Sequence, residues 1–598
     1  AAQNPVVLVI EDLQWADDAL LDFLDHLLEW ASASPIFVLA MARPELLERR
    51  SAWASSRRNI TTLWLDRLSD PAISSLLEDL VPGIPDEVGS RIVERAEGVP
   101  LYALETVRSL IDRGAVVAQG GRYALVGEVS DLDIPASLTS LISARLDGLD
   151  SDERLLAMRM SVFQGGFSAE AAGAVGELDG QRLVDALSGL VRKEVFAIRS
   201  DKLSPDRGRY LFTQLLLRQV AYDMLGKRER KARHLAAAAH LRATYADLDD
   251  VSEVLAAHYR GAYEALPEDA DADEVRALAV GAYSGAAERA GSLGAVDLAE
   301  RAYRSAADLA TSDQRPMLLE KAGMAAQHAG RYAAAEELLQ PARDAYAERG
   351  QIADALRVEI EFGRIMTAVG RHREAKVLYD DIEVRAEAAG EDSARAWALI
   401  FSASVEGIEG NNVSALQRLD RGLAIAESLD ARVMLGRGLV TRAALLISNG
   451  RPQESAAVLT GVLATLGPDL DLNRQATAHN NLGDTCLQSD LPGAVEHFRR
   501  SAELSVRLGD RGMEALAEAN LAQAETMAGD LAGARRRLET MLARLEASGV
   551  PVSLMQGYLH GMLGELASLR GDRAALEAAY AEADVLRESD DPADVGCY

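Results

Sequence analysis

Val6-Val7-Leu8-Val9-Ile10-Glu11-Asp12 is the stretch from which the fold can be read. Five aliphatic residues in a row, ending on two carboxylates, have the form of a fully buried parallel strand that delivers acids to the carboxyl edge of a sheet. Leu13-Gln14-Trp15-Ala16-Asp17 follows, and Asp17 is placed to cap a helix in which Leu20, Leu21, Leu24, Leu27 and Leu28 share one face. A second apolar run, Ile36-Phe37-Val38-Leu39-Ala40-Met41, ends in Ala42-Arg43-Pro44. Strand, helix and strand of these lengths predict a parallel βαβ unit with Arg43 at the strand end beside the two acids. A third short strand is expected at Ile60-Thr61-Thr62-Leu63-Trp64-Leu65. On these residues alone, a core strand whose acids only cap the next helix stays open as the alternative.

Composition narrows the function classes. At 598 residues the chain exceeds one core, and several domains are expected. Hydrophobic content of 48% with 26% charged residues is ordinary for a soluble globular protein. No apolar run reaches the length of a membrane span and no basic-then-apolar leader opens the chain, so a cytoplasmic protein without membrane contact is expected. The 2 cysteines form no CxxC pair and the 9 histidines show no HxxH or HxxxH spacing, which argues against a metal site built by the protein alone. A net charge of −30 repels nucleic acid and anionic membrane. The basic run Lys227-Arg228-Glu229-Arg230-Lys231-Ala232-Arg233 reads as a solvated helix face.

From about residue 69 the pattern turns helical, broken at Pro82-Gly83 and at Gly98-Val99-Pro100. Val116 to Leu125 reads as a hairpin turning at Gly120-Gly121. Helices over 135–149 and 151–163, two shorter helices, and strands near 195–199 and 210–213 complete a winged-helix pattern. Such modules often bind DNA, but without a basic recognition helix an intramolecular switch is the favoured reading. The expected division is a partial P-loop α/β domain over 1–68, a helical lid with hairpin over 69–133, a winged-helix-like domain over 134–226, connecting helices over 227–284, and a repeat superhelix over 285–598.

Several motifs carry a family resemblance. Glu11-Asp12-Leu13-Gln14-Trp15-Ala16-Asp17, Ala42-Arg43-Pro44-Glu45-Leu46-Leu47 and Gly98-Val99-Pro100-Leu101-Tyr102 resemble the signal-transduction ATPases with numerous domains, the STAND group of P-loop NTPases. Leu101 to Arg108, Asp112-Arg113-Gly114, Ala144-Arg145-Leu146-Asp147 and Leu217 to Tyr222 are similar to the ATPase region attached to bacterial class III adenylate/guanylate cyclases. The resemblance spans roughly residues 5 to 260. It implies that the opening strand is a Walker B strand, with Glu11 facing Mg²⁺ through its water shell and Asp12 polarising the hydrolytic water. It also implies that Arg43 senses the γ-phosphate of ATP and that Pro100 of the lid contacts nucleotide. The family commonly has His where this chain has Gln214, and Asn at Val99. No GxxxxGK[ST] occurs anywhere; Gly226-Lys227 has Ala221 where the first Gly should stand and Arg228 where Ser or Thr should follow. The chain opens without Met just before the acid-bearing strand, so the expectation is an N-terminally truncated ATPase, inactive alone, whose P-loop and cyclase lie upstream.

The second half repeats. Gly294, Gly330, Gly370, Gly410, Gly450, Ser489, Gly529 and Gly571 are spaced 36, 40, 40, 40, 39, 40 and 42 residues apart. A small residue follows five positions later, Ala299 to Ala534, and a bulky one nine later, Tyr303 to Tyr580. This is a helix-turn-helix repeat of about eight tetratricopeptide-like units, in which the bulky residues should be core. The period exceeds the usual ~34 residues and predicts longer helices or longer turns between units. The expected partners are a protein or peptide on the concave face, with Asn411, Asn412, Asn480 and Asn481 as groove candidates, and an intramolecular effector domain. Acidic stretches at 268–274 and 588–591 read as solvated loop and tail. The leading functional expectation is a nucleotide-dependent regulatory region controlling a cyclase. The alternatives are a transcription-regulator core and a protein-interaction scaffold with a dead ATPase.

Overall fold

The computed structural model describes residues 5–16, parts of 20–28, 35–46, 60–112 except 83, 116–119, 122–125, 137–199, 208–245, 251–467, 470–508 except 471 and 488, 511–548 and 553–583. These residues are mostly helical, with small parallel strands near the start and a long run of packed helix pairs after them. The chain divides into two units, Ala1–Arg276 and Ala277–Tyr598.

In the first unit, β1 (Val6–Ile10) pairs parallel with β2 (Ile36–Ala40), Val6 opposite Ile36 and Ile10 opposite Ala40. Side chains alternate between the two faces. Leu8 and Ile10 pack on Leu13, Leu21, Leu24 and Leu46. Val7, Val9, Phe37 and Leu39 lie exposed, Val7 at 64% and Phe37 at 62%. The strand expected to be fully buried is therefore covered on one face only, because among the described residues no apolar cluster forms against the other. The strand expected at Ile60–Leu65 is also absent: β1 and β2 pair only with each other among the described residues, and Leu65 is 95% exposed. An extended segment needs a neighbour's backbone groups to become a strand. Asp17, the expected helix cap, lies outside the described residues.

Helices Asp70–Leu80, Asp86–Ala96 and Pro100–Asp112 bury Ile73, Leu77, Ile92 and Val107 in one core. β3 (Val116–Gln119) and β4 (Arg122–Leu125) are antiparallel, and the Gly120-Gly121 turn between them lies outside the described residues. Helices Leu138–Asp147, Ser151–Met160, Ala169–Gly176, Gly180–Arg192 and Leu215–Asp223 surround a core containing Phe167, Leu190, Phe196 and Leu217. β5 (Phe196–Ile198) and β6 (Tyr210–Phe212) pair antiparallel beside it. Helix Ser151–Met160 starts on a reciprocal capping box between Asp150 and Glu153, which satisfies two backbone donors at its end.

The basic run at 227–233 is a solvated face at Lys227 and Arg228 but not at its far end. Lys231 and Arg233 are buried. Arg233 donates to the Val175 carbonyl and to Glu177, each at 2.7 Å, and Lys231 is held by Asp269 at 2.5 Å and by Asp271. Part of the acidic stretch read as free loop is thus the counter-charge of a buried ammonium, as a desolvated cation requires. Two buried rings, His234 and His258, face each other across this region with their Nδ1 atoms 3.1 Å apart, so one must be an unprotonated acceptor.

The second unit is a stack of helix pairs. Its regular part, from Ile352–Ala368 to Arg432–Ser448, is built of helices of 17 or 18 residues joined by turns of two or three residues. The 40-residue period therefore comes from longer helices, and both turns of each unit stay short. Each turn is a Schellman cap: at Gly330 the next amide, of Arg331, bonds the Ala326 carbonyl while Gly330 bonds Gln327. That cap needs a left-handed residue, and Gly330, Gly370, Gly410 and Gly450 have φ of 74, 80, 81 and 68°. The turns between them use Gly350, Gly390 and Asp430 in the same conformation. First helices of successive pairs also pack on one another, which places them along the inside of the stack.

The bulky positions are core from Tyr303 to Leu538, but Tyr580 is 50% exposed, because it stands on the last described helix, Arg573–Ala583. Each bulky side chain needs a seat on the first helix of its pair. At Gly363 an added Cβ would lie 2.5 Å from the Tyr379 ring, and at Gly483 2.6 Å from Phe498. Where the bulky residue is Leu419 or Leu459, the seat is Ala403 or Ala443 in the same core cluster.

Two outcomes follow from this packing. Gly363→Ala should destabilise the second unit by about 1–3 kcal/mol through overpacking, and Tyr379→Leu should restore most of that loss in the double variant. Thermal unfolding of the four-member cycle checks it, and additive losses would refute the seat. For the first unit, burial with the neighbouring ring pushes His234 down to about 3, and burial pushes His258 down to about 4, from an ordinary 6.5. The unfolded chain then takes up protons that the folded one refuses. Stability is full above pH 6.5 and falls as pH drops toward 4, by up to about 1.4 kcal/mol per pH unit for each ring. Urea midpoints followed through amide exchange of helix Lys227–Thr244 should show this slope between pH 7 and 5, flattened in His258→Gln.

Candidate functional site

Glu11 and Asp12 leave the carboxyl end of β1, and Arg43 leaves the same end of β2, since the parallel register sets Ile10 opposite Ala40. All three are exposed. The junction is fixed by backbone bonds that run past the ladder: Met41 N–H donates to the Ile10 carbonyl at 2.8 Å and Leu13 N–H to the Met41 carbonyl at 2.9 Å. Asp12 has left-handed backbone angles, φ 54° and ψ 38°, and opens a single 3₁₀ turn over Leu13–Trp15. For a residue with a Cβ this costs on the order of 1 kcal/mol, a strain that concentrates at functional sites.

The side chain of Gln14 is buried inside this turn, 7% exposed. Its Nε2 donates to Asp12 Oδ1 at 2.8 Å, and its Oε1 accepts the Arg43 backbone N–H at 3.1 Å. One amide thus spans from the acid on one strand end to the cation-bearing residue on the next. Among the described residues no carboxylate pairs with the Arg43 guanidinium. Gln14 did not stand out in the sequence, although a polar residue between the apolar Leu13 and the aromatic Trp15 is the kind of signal that could have found it.

Pro100 is the first residue of helix Pro100–Asp112, the position where a missing N–H costs nothing. The turn before it is shaped by Gly98, φ 75°, whose absent Cβ would fall 2.5 Å from the Leu68 carbonyl. Leu68 N–H donates to the Gly98 carbonyl at 2.9 Å, and Arg67 donates to the Glu97 carbonyl at 3.2 Å. The turn is therefore docked on the segment that leads into helix Asp70–Leu80. What the structure brings together is Glu11, Asp12, Gln14 and Arg43; Pro100 belongs to this second contact.

Behind the turn, the buried carboxylate of Glu105 gathers three elements. It accepts from Arg145 at 2.8 Å, from Gln214 at 3.0 Å and from Arg108 at 3.3 Å. Arg145 also donates to the Lys193 carbonyl at 2.7 Å. Gln214, which stands where the resembling family has His, is thereby bound to helix Pro100–Asp112. In the second unit, the Asn480 Oδ1 accepts from Asn520 at 2.9 Å and both side chains are buried between adjacent first helices. Asn411 and Asn412 stand at a turn and at the start of a second helix. Among the described residues no group of three His, Cys, Asp or Glu could hold a metal ion, and no helix is long and apolar enough to cross a membrane.

Solved structures of similar trace include the Signal Transduction ATPase with Numerous Domains protein with a tetratricopeptide repeat sensor, PH0952 from Pyrococcus horikoshii. It is 13% identical, over 96% of this chain and 80% of that one, at a TM-score of 0.46. A Rap protein complexed with Competence and Sporulation Factor aligns at 12% identity over 62% of this chain and 95% of its own, TM-score 0.32. The Cut9–Hcn1 hetero-tetramer of the APC/C aligns at 12% identity, 64% and 92%, TM-score 0.31. No family model matches the sequence, and no curated protein matches it. At such scores these likenesses decide neither family nor function; the chain's own residues have to.

The Gly98 turn gives a direct check. Gly98→Ala should displace the turn from Leu68 and speed amide exchange in helix Pro100–Asp112 without altering helix Leu215–Asp223. Unchanged exchange would mean that the close approach is dispensable.

Proposed function

We propose that this chain is the regulatory region of a STAND-type signalling ATPase, in which nucleotide state sets how the lid and winged-helix elements pack and the helix-pair stack binds a protein or peptide. The observation that carries the reading is the single strand edge presenting Glu11, Asp12 and Arg43 with a buried amide between them. The donor set fits a Mg²⁺–triphosphate from one side: two exposed carboxylates and a guanidinium that no described acid neutralises. Bound ATP would supply the γ-phosphoryl group for hydrolysis. Glu11 would face the metal's water shell, Asp12 would accept a proton from the attacking water, and Arg43 would read the γ-phosphate charge. Pro100 would meet the nucleotide from the lid.

The backbone cradle and lysine that hold β- and γ-phosphates have no counterpart in these 598 residues. The proposal assigns them to a phosphate-binding loop outside this sequence. The exposed face of β1 and β2 supports that reading, since parallel strands are normally covered on both sides. The winged-helix elements are assigned an intramolecular role, because Lys231 and Arg233 of the nearest basic run are held by Glu177, Asp269 and Asp271. On the motif resemblance, the effector under control is a cytoplasmic class III adenylate/guanylate cyclase.

In the full-length protein containing these residues, Asp12→Asn should lower ATP hydrolysis at least tenfold while ATP binding persists; unchanged turnover would remove the reading. The 598 residues alone should show no Glu11- and Asp12-dependent turnover. Cyclic nucleotide formation by the full-length protein tests the effector, and a DNA-binding effector in its place would make the chain a transcription-regulator core.

A further inference from the structure

We propose that Gln14 is the positioning residue of this site: it holds the Asp12 carboxylate in its working orientation and couples it to the Arg43 end of β2. The inference rests on the nucleotide-site reading above. A neutral carboxamide can donate at one end and accept at the other, which neither a carboxylate nor a cation can do. Gln14 uses both ends on residues of the site, Nε2 on Asp12 Oδ1 and Oε1 on the Arg43 N–H. Asp12 Oδ2 is left to act as an acceptor. The left-handed backbone of Asp12 would relax readily in an exposed turn, and the buried amide opposes that relaxation together with the Leu13 N–H bond to the Met41 carbonyl. The same amide makes the β1 and β2 ends one unit, so a displacement of Arg43 on sensing charge is transmitted to Asp12 through two hydrogen bonds.

Two substitutions separate positioning from packing. Gln14→Glu keeps the shape and can still accept from the Arg43 N–H, but it cannot donate to Asp12 at neutral pH. Gln14→Ala loses both bonds. In the 598-residue chain, amide exchange at Arg43 should be slow in wild type and in Gln14→Glu, and fast in Gln14→Ala. In the full-length protein at pH 8, both variants should lose about 10- to 100-fold in kcat, the range seen when supporting groups of this kind are removed, with the Kd for ATP unchanged. Gln14→Glu should recover as pH is lowered and the introduced carboxyl becomes a donor. Wild-type kcat for Gln14→Glu at pH 8, with Arg43 still protected, would show that the amide only packs and would overturn the inference. If Asp12→Asn also leaves hydrolysis intact, the site reading falls with it; if Asp12→Asn abolishes hydrolysis, only the role of Gln14 falls.

Discussion

Parallel pairing between β1 and β2 is the constraint on which the candidate site depends. An antiparallel pair would send Glu11 and Arg43 to opposite ends; the parallel register sends both to one. Once Ile10 stands opposite Ala40, the bonds from Leu13 and Met41 close the junction, and Gln14 has two partners within reach. The same pairing leaves a cost unmet. Parallel strands are stable when both faces are covered, and here Leu8 and Ile10 have a core while Val7, Val9, Phe37 and Leu39 face outward. Acids at one end and a bare apolar face fit the same proposed completion: a further strand would pair at the sheet's edge, its loop would bring the phosphate donors, and a helix would cover the face.

The second unit answers to a different constraint, the left-handed cap. A Schellman turn stops a helix with one residue of positive φ and reverses the chain in three. Repeating it about every twenty residues makes every helix long and every turn short, and the stack then needs matched pairs of small seat and large side chain. Gly363 with Tyr379 and Ala443 with Leu459 are two solutions of one volume equation. Charge is handled inside this frame. Glu320 is buried yet held by Arg357, with Nε and Nη2 at 2.6 and 2.8 Å, and Tyr346 donates to it at 3.1 Å. Buried acids are tolerable here because the neighbouring helix brings the cation.

Repeats, turn glycines and bulky positions were legible in the sequence because each recurs, and recurrence separates a structural demand from chance. Tyr580 broke the rule for an edge reason: being core requires a neighbour on the outer side. The segment 60–65 is no strand despite its β-rich composition, which states a preference, while pairing needs a partner's backbone. The basic run at 227–233 looked solvated because its counter-ions are far away in sequence, at Glu177, Asp269 and Asp271. At the candidate site, the acids and Arg43 were visible as types at strand ends. Gln14 and Glu105 were not, since a single amide or carboxylate acquires meaning only from what folding sets against it.

Glu11, Asp12 and Arg43 are proposed to form one half of a nucleotide site. Calorimetric titration of Mg²⁺–ATP into the 598-residue chain and into the full-length protein tests it most directly. Saturable binding is expected of the full-length protein, weakened when Arg43 is replaced by Ala, and none of the 598 residues alone. Equal binding by both, indifferent to Glu11, Asp12 and Arg43, would contradict it.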